Sequence, residues 1–435
     1  MVWSGAMSAP DTDRADQVSR VAAAIWRIES AKLIAVIARL LRSVDLAEEL
    51  AQDAFVEALE SWRKSGLPDN PGGWLMTAAK HRALDALRHA RRADRRHEQI
   101  ERERETSLAA TFDEASDDVV GDDLLRLIFV ACHPVLSQEA RVALTLRLLG
   151  GLTTDEIGRA FLVPEPTIAQ RITRAKRTLA DKNIPYELPL PADLHTRLDS
   201  VLEVIYLVFN EGYLASAGGD WMRPALCEDA LRLGRTLAEL VPRESEVHAL
   251  VSLMEIQASR ARARSGPHGE AVLLLEQDRS QWDTLLVRRG LEALTRAESL
   301  ISHSPGPYLL QAAIAACHAR ARVASDTDWL RIASLYAALM HIAPSPIVEL
   351  NRAVAVGMGF GPAAGLEIVD PLLADPALAD YPFLPSVRAD LLAKLGRFAE
   401  ATTEVERAAA LTQNARERVL FLERASDYRA SDERS

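Results

Sequence analysis

A chain of 435 residues with net charge −11, 48% hydrophobic and only 5% aromatic, is too long for one compact core and should divide into two to four domains. Its wealth of Ala, Leu and Arg points to a soluble, mostly helical protein. No apolar run approaches the roughly 20 residues that span a bilayer, and the opening MVWSGAMSAPDTDRADQ lacks the basic-then-apolar layout of a signal peptide. Three scattered cysteines, Cys132, Cys227 and Cys317, form no CxxC pair, which argues against a zinc knuckle or disulfide scaffold and for a reducing cytoplasm.

Residues 18–96 read as helices with one break, SGLPDNPGG at 65–73. In DLAEELAQDAFVEALESW (45–62), Asp45, Glu48, Glu49 and Gln52 share one polar helical face with Asp53 beside it, and Leu46, Leu50, Ala54 and Leu59 mark the predicted buried side. From 70 to 92, Leu75, Ala79, Ala83, Leu87 and Ala90 form a stripe, leaving Lys80, His81, Arg82, Asp85, Arg88, Arg91 and Arg92 to face outward. Trp62 and Trp74 sit beside apolar positions at helical spacing and are expected in the core. Residues 97–122 are polar and acidic without a sustained stripe and read as a linker.

Residues 123–182 make a small helical domain that ends in TTDEIGRAFLVPEPTIAQRITRAKRTLADK, a helix, a tight turn and a second, basic helix. Thr153 and Glu156 form a capping box for the first helix, whose Ile157 and Phe161 face the second. Pro164 and Pro166 mark the break. In the second helix Ile168, Ile172, Ala175 and Leu179 form the apolar stripe, and Thr167, Gln170, Arg171, Arg174 and Arg177 lie opposite it. Gln suits adenine edges; Arg suits guanine edges or phosphate. The acidic whole-chain charge does not oppose this, because charge is local: residues 80–96 carry net +5, 97–122 net −7, and 183–435 hold 25 basic against 34 acidic residues.

IPYELPLPAD at 184–193 reads as a domain boundary, followed by a helical extension over 190–300 and tetratricopeptide-like repeats over 301–428. Gly396, Phe398, Ala401 and Ala408 occupy the small and aromatic positions of such a repeat, although no proline closes it. Residues 308–345 give a second helix pair, with Ala312, Ala316, Ala319 and Pro344. Asn210, Glu211 and Tyr213, with Arg232 and Arg235, are a candidate polar network or small-molecule site; helix-packing salt links are the competing account. No metal, cofactor or catalytic motif stands out, and RSGPHGE at 264–270 is not a phosphate-binding loop.

The order of these pieces is an acidic amphipathic helix, a Pro/Gly loop, a W-L-x-x-x-A helix with a basic tail, an acidic linker and a helix-turn-helix. Over residues 18–182 it resembles the extracytoplasmic-function sigma factors of bacterial RNA polymerase, in the subgroup with a long C-terminal extension. The resemblance implies an all-α fold and a non-enzymatic initiation factor whose partners are core polymerase (β′ clamp helices and β flap) and promoter DNA, with no membrane. It implies docking on the clamp helices by Asp45, Glu48, Glu49, Gln52 and Asp53. The −10 element would be read by the 66–70 loop, with Asp69 and Asn70, and by Lys80, His81, Arg82, Asp85, Arg88, Arg91 and Arg92. The −35 element would be read by the helix from Pro166 to Lys182, and the acidic linker would thread the active-centre cleft. The family's turn usually has glycine where Leu162 and Pro166 stand, and Pro166 removes one N–H at the helix start. The extension is expected to regulate in cis or to receive an intramolecular or protein partner. Two other readings stay open: a helix-turn-helix regulator that binds DNA without polymerase and uses the repeats as sensor, and a repeat scaffold with a degenerate docking domain.

Overall fold

The computed structural model describes residues 11–93, 117–161, 163–190, 193–213, 222–264, 266, 272–302, 304–412 and 414–434. They contain eighteen α-helices and a few short 3-10 turns, with no strand among the described residues, as an all-α chain requires. The chain forms two compact units, Met1–Val204 and Ile205–Ser435.

The first unit is built around α1 (Asp11–Leu41), whose segment Leu33–Ala38 is buried all round. A helix that is apolar on every side must be covered on every side. Here α2 (Val44–Ser65) and α3 (Pro71–Ala93) cover one part, α4 (Asp117–Ala131) and α5 (Gln138–Leu148) another. Helices α6 (Thr154–Phe161) and α7 (Glu165–Asp181) form the helix-turn-helix, and α7 also packs on α5.

Three sequence expectations change. The buried side of α2 is Ala47, Ala51, Ala54, Ala58 and Trp62, whereas Leu46 is 37% exposed and Leu50 and Leu59 are half-buried. Alanines let helix axes approach closely, so the seam against α1 follows the small residues and leucines flank it. Second, helix α4 starts at Asp117, so the last residues of the expected linker over 97–122 are helical; residues 97–116 and their threading role lie outside the described residues.

Third, the proline-rich stretch at 184–193 is not the end of the first unit. The Tyr186 hydroxyl lies 3.0 Å from the carbonyl oxygens of both Ala35 and Asp123. Helix α8 (Leu194–Tyr213) then ties its first turns back to the unit: Arg197 donates to Phe129 O at 2.6 Å, Ser200 to Cys132 O at 2.6 Å, and Arg141 pairs with Glu203 at 2.9 Å.

In the second unit consecutive helices pack on one another, α9 (Pro224–Leu240) through α18 (Ala415–Asp432). Prolines open four of them, at Pro224, Pro307, Pro346 and Pro362, where the missing N–H costs nothing. Ala312 and Ala316, and later Ala401 and Ala408, are fully buried where helices meet, while Ala319 and Phe398 are only half-buried.

Candidate nucleic-acid interface

The helix-turn-helix is set by local chemistry. Thr153 Oγ1 accepts from Glu156 N at 3.1 Å and Glu156 Oε2 accepts from Thr153 N at 2.8 Å, a closed capping box. Arg27 of α1 reaches the same carboxylate at 2.6 Å; burial acts to raise the Glu156 pKa, but the hydrogen bonds donated by Thr153 N and Thr153 Oγ1 and the Arg27 guanidinium together hold it below the usual carboxylate range. The turn closes by Val163 N donating to Gly158 O at 2.9 Å, and a Cβ on Gly158 would stand 2.7 Å from Val163 O. Gly158 is thus the glycine that shapes this turn, a position the sequence reading passed over. Leu162 lies outside the described residues. Pro166 sits in the first turn of α7, where it is tolerated.

Ile168, Ile172, Ala175 and Leu179 of α7 are buried, as their spacing predicts. Gln170, Arg174 and Arg177 are exposed and Thr167 and Arg171 half-buried. Thr167, Gln170, Arg171 and Arg174 line an open groove of about 410 Å³ that also touches Ser137 and Glu139. Arg177 pairs with an exposed i,i+4 partner, Asp181, at 3.5 Å. These donors form one accessible surface on a single rigid helix, the arrangement that presents side chains to base edges and phosphates.

The α2–α3 surface is less open than the sequence implies. On α3 the stripe Leu75, Ala79 and Ala83 is buried and Leu87 half-buried. Trp62 is buried and meets half-buried Trp74 edge-on at 5.7 Å. Asn70 has a structural task, since its Oδ1 accepts from Gly73 N at 2.9 Å and caps α3. Arg82 is bound to Glu57 at 3.0 Å and Asp53 at 3.6 Å, and Arg88 to Asp85 at 3.0 Å, whereas Asp69 and His81 are exposed. Lys80 is half-buried; the side chains of Ala90, Arg91 and Arg92 lie outside those described.

The docking face requires a larger correction. Asp45, Glu49 and Asp53 are exposed, but Glu48 is only 5% exposed and does not share their face. Its carboxylate meets Arg147 of α5 at 2.5 Å and Lys176 of α7 at 2.7 Å, and accepts from Gln52 at 2.6 Å. Lys176 also binds Asp45 at 2.7 Å, and these two carboxylates raise its pKa over the opposing effect of burial. A cation from α7 is therefore fixed between two acids of α2. Elsewhere in the first unit Asp123, fully buried, joins Arg39 of α1 at 2.9 Å to Arg126 at 2.6 Å; burial raises its pKa and the two arginines oppose that rise. Gly151, with φ +70°, allows the loop before α6 to lie on α1, where a Cβ would stand 2.9 Å from Ser30 Oγ.

The candidate network in the second unit is not one site. Glu211 binds Arg223, Arg232 binds Asp229 at 3.0 Å, and Arg235 binds Glu255 at 2.8 Å. Asn210 supports the Tyr206 hydroxyl, and Tyr213 stacks on Phe209. Arg235–Glu255 links two packed helices and Glu211–Arg223 joins a helix to the residue that precedes the next, whereas the other contacts lie within a single helix. Among the described residues no cluster of His, Cys, Asp and Glu could hold a metal ion, and no helix is long and apolar enough to cross a membrane.

An α-helical module with an acidic docking helix, joined to a helix-turn-helix, defines a class of DNA-binding transcription factors. Residues 27–93 match Sigma-70 region 2 and residues 126–179 match Sigma-70 region 4. The ECF RNA polymerase sigma factor SigK of Mycobacterium ulcerans is 30% identical over 156 residues, 34% of this chain and 78% of that protein. SigK of Mycobacterium sp. strain KMS is 29% identical over 161 residues, 36% of this chain and 80% of its own length. The chain belongs to the ECF sigma factors of RNA polymerase. An uncharacterized protein of Rhizobium meliloti is 43% identical over 384 residues, 87% of this chain and 89% of that protein, so its likeness extends through the C-terminal unit. Residues 197–298 match a family of unknown function.

Proposed function

We propose that this sigma factor directs core polymerase to its promoters through α3 and α7, and that its free form is closed by the contact of α7 with α2. The observation that carries the second part is Lys176, held by both Asp45 and Glu48. By the family resemblance, the acids at the start of α2 meet the clamp helices of the β′ subunit, and the helix-turn-helix module meets the β flap and the −35 element. Glu48 cannot do so while Arg147 and Lys176 occupy it. Opening the α2–α7 contact would release Asp45 and Glu48 for polymerase and separate the two promoter-reading modules. The regulator that binds DNA without polymerase is not favoured, because it has no need of a region 2 module. The protein then acts as a binding factor in the cytoplasm, where core polymerase works, and has no catalytic role of its own.

The acidic C-terminal unit, tetratricopeptide-like in its last helices, regulates this activity in cis. Its charge, within the 25 basic and 34 acidic residues of 183–435, is of the sign that basic promoter-reading helices attract. Run-off transcription with core polymerase on a genomic promoter library is the direct test. Specific initiation, with band-shifts that require core polymerase, is the expected result. Tight specific DNA binding by the free chain without initiation would sink the proposal.

A further inference from the structure

Two arginines of the second unit, Arg260 and Arg279, have no ion-pair partner among the described residues. Arg279, in a 3-10 turn at Arg279–Gln281, donates to the carbonyls of His318 at 2.7 Å and Ala321 at 2.8 Å and to Thr327 Oγ1 at 3.0 Å. Those bonds cap the C-terminus of α12 (Pro307–Arg320) and account for two of its nitrogens. Its Nε is buried without a partner, and so are Arg260 Nε, Trp282 Nε1 and His318 Nδ1. Trp282 is 6% exposed and His318 8% exposed. The guanidinium groups of Arg260 and Arg279 lie 5.8 Å and 5.2 Å from the Trp282 ring centre.

Among the described residues no carboxylate comes within 4.0 Å of Arg260 or Arg279; Asp326 acts on Arg279 only at longer range. Burial above all, with a smaller contribution from these two arginines, pushes His318 down to about 4. Buried N–H donors without acceptors, and cations without counter-ions, are costly unless something else supplies the negative charge.

Arg279 and Trp282 also line an open cavity of about 850 Å³, within the size range of small-molecule sites. Arg288, Arg320 and Arg322 stand at its exposed rim, and Val287, Leu291 and Ala319 give it an apolar wall. Glu292 is the one carboxylate in the lining, 3.9 Å from Arg288.

We infer that this cavity is a binding site for a phosphate-bearing small molecule. Arg320 and Arg322 meet the phosphate oxygens, while the half-buried Arg279 of the lining and Arg260 near it add positive potential. The guanidinium fork suits phosphate oxygens two at a time. Residues 279–298 of this site fall in the stretch shared with the family of unknown function, and the α12 residues extend it. The site does not depend on the sigma reading of the first unit.

Calorimetric titration of the full-length chain with sodium pyrophosphate, ATP and adenosine tests it. Saturable one-site binding of pyrophosphate and ATP, with none of adenosine, is expected. Tighter binding of ATP would identify an organic ester as the source of the phosphate, and equal binding the inorganic ion. Arg320→Ser combined with Arg322→Ser should weaken binding at least tenfold with an unchanged circular dichroism spectrum, because both side chains are exposed. Arg171→Ala with Arg174→Ala should leave it unchanged. The inference fails if neither anion binds saturably, if adenosine binds as well as ATP, or if the Arg320/Arg322 variant keeps full affinity. It fails equally if only the Arg171/Arg174 pair matters, which would place the anion on the DNA-reading helix.

Discussion

Single side chains here are constrained mainly by what burial does to charge. His318 is the clearest case. Its folded pKa of about 4 lies below the ordinary 6.5, so the unfolded chain takes up a proton first as the pH falls. The stability this neutral ring contributes is complete above pH 6.5 and lost as pH drops toward 4, up to about 3 kcal/mol. His318→Gln should therefore flatten the fall in urea midpoint of the full chain between pH 7 and 4.5; an unchanged slope would assign that fall to other groups. On α7, Gln170→Ala or Arg174→Ala should each cost about 1–3 kcal/mol in promoter-specific initiation, with core-polymerase affinity unaltered. The exposure of both side chains and their position on one groove motivate the prediction, and promoter mutants in run-off assays check it. The solvent-facing set on α7 was legible in sequence because Ile168, Ile172, Ala175 and Leu179 fix one face of the helix and thereby the other. The buried role of Glu48 was not legible, because its partners Arg147 and Lys176 stand 99 and 128 residues away in sequence.

At the scale of elements, helix ends are matched to side chains of suitable sign. Helix α12 has the Glu246 carboxylate at its N-terminus, accepting from Tyr308 N at 2.9 Å and Leu309 N at 3.1 Å, and the Arg279 guanidinium at its C-terminus. Both ends favour the helix dipole. The α2–α7 contact has the opposite design: it is ionic and partly wet, the kind of contact that ions or a competing charged surface can open. Lys176→Met should loosen it. The expected outcome is tighter binding of core polymerase by the free protein and a weaker salt dependence of that binding, read by fluorescence anisotropy. Unchanged affinity would remove the closed form from the mechanism. Periodicity gave α7 and α3 correctly, yet it misplaced the buried face of α2. Leucine outweighs alanine on any hydrophobicity scale, whereas close helix packing selects the smaller Cβ.

For the whole molecule, the placement of α8 decides how the chain can be cut. A chain ending at residue 185 lacks Tyr186, Arg197, Ser200 and Glu203, each of which bonds to the first unit. A chain ending at 204 keeps them all. The shorter truncation should melt several degrees below the longer, because buried carbonyls and Arg141 lose their partners. Calorimetry of the two fragments checks this. Only the 1–204 fragment is then a fair test of regulation in cis. If it transcribes with the same activity and the same response to conditions as the full chain, the C-terminal unit does not regulate.

The sequence by itself determined the all-α class, the Sigma-70 region 2 and region 4 modules and their order. These rest on short-range periodicity, caps and prolines, which act within a few residues. Tertiary structure alone decided which acids of α2 remain exposed, that α8 begins as part of the first unit, and that Arg279 and Trp282 meet Arg320 and Arg322 around one cavity. Each of those depends on partners far apart in the chain, and helical spacing carries no information about which faces will meet.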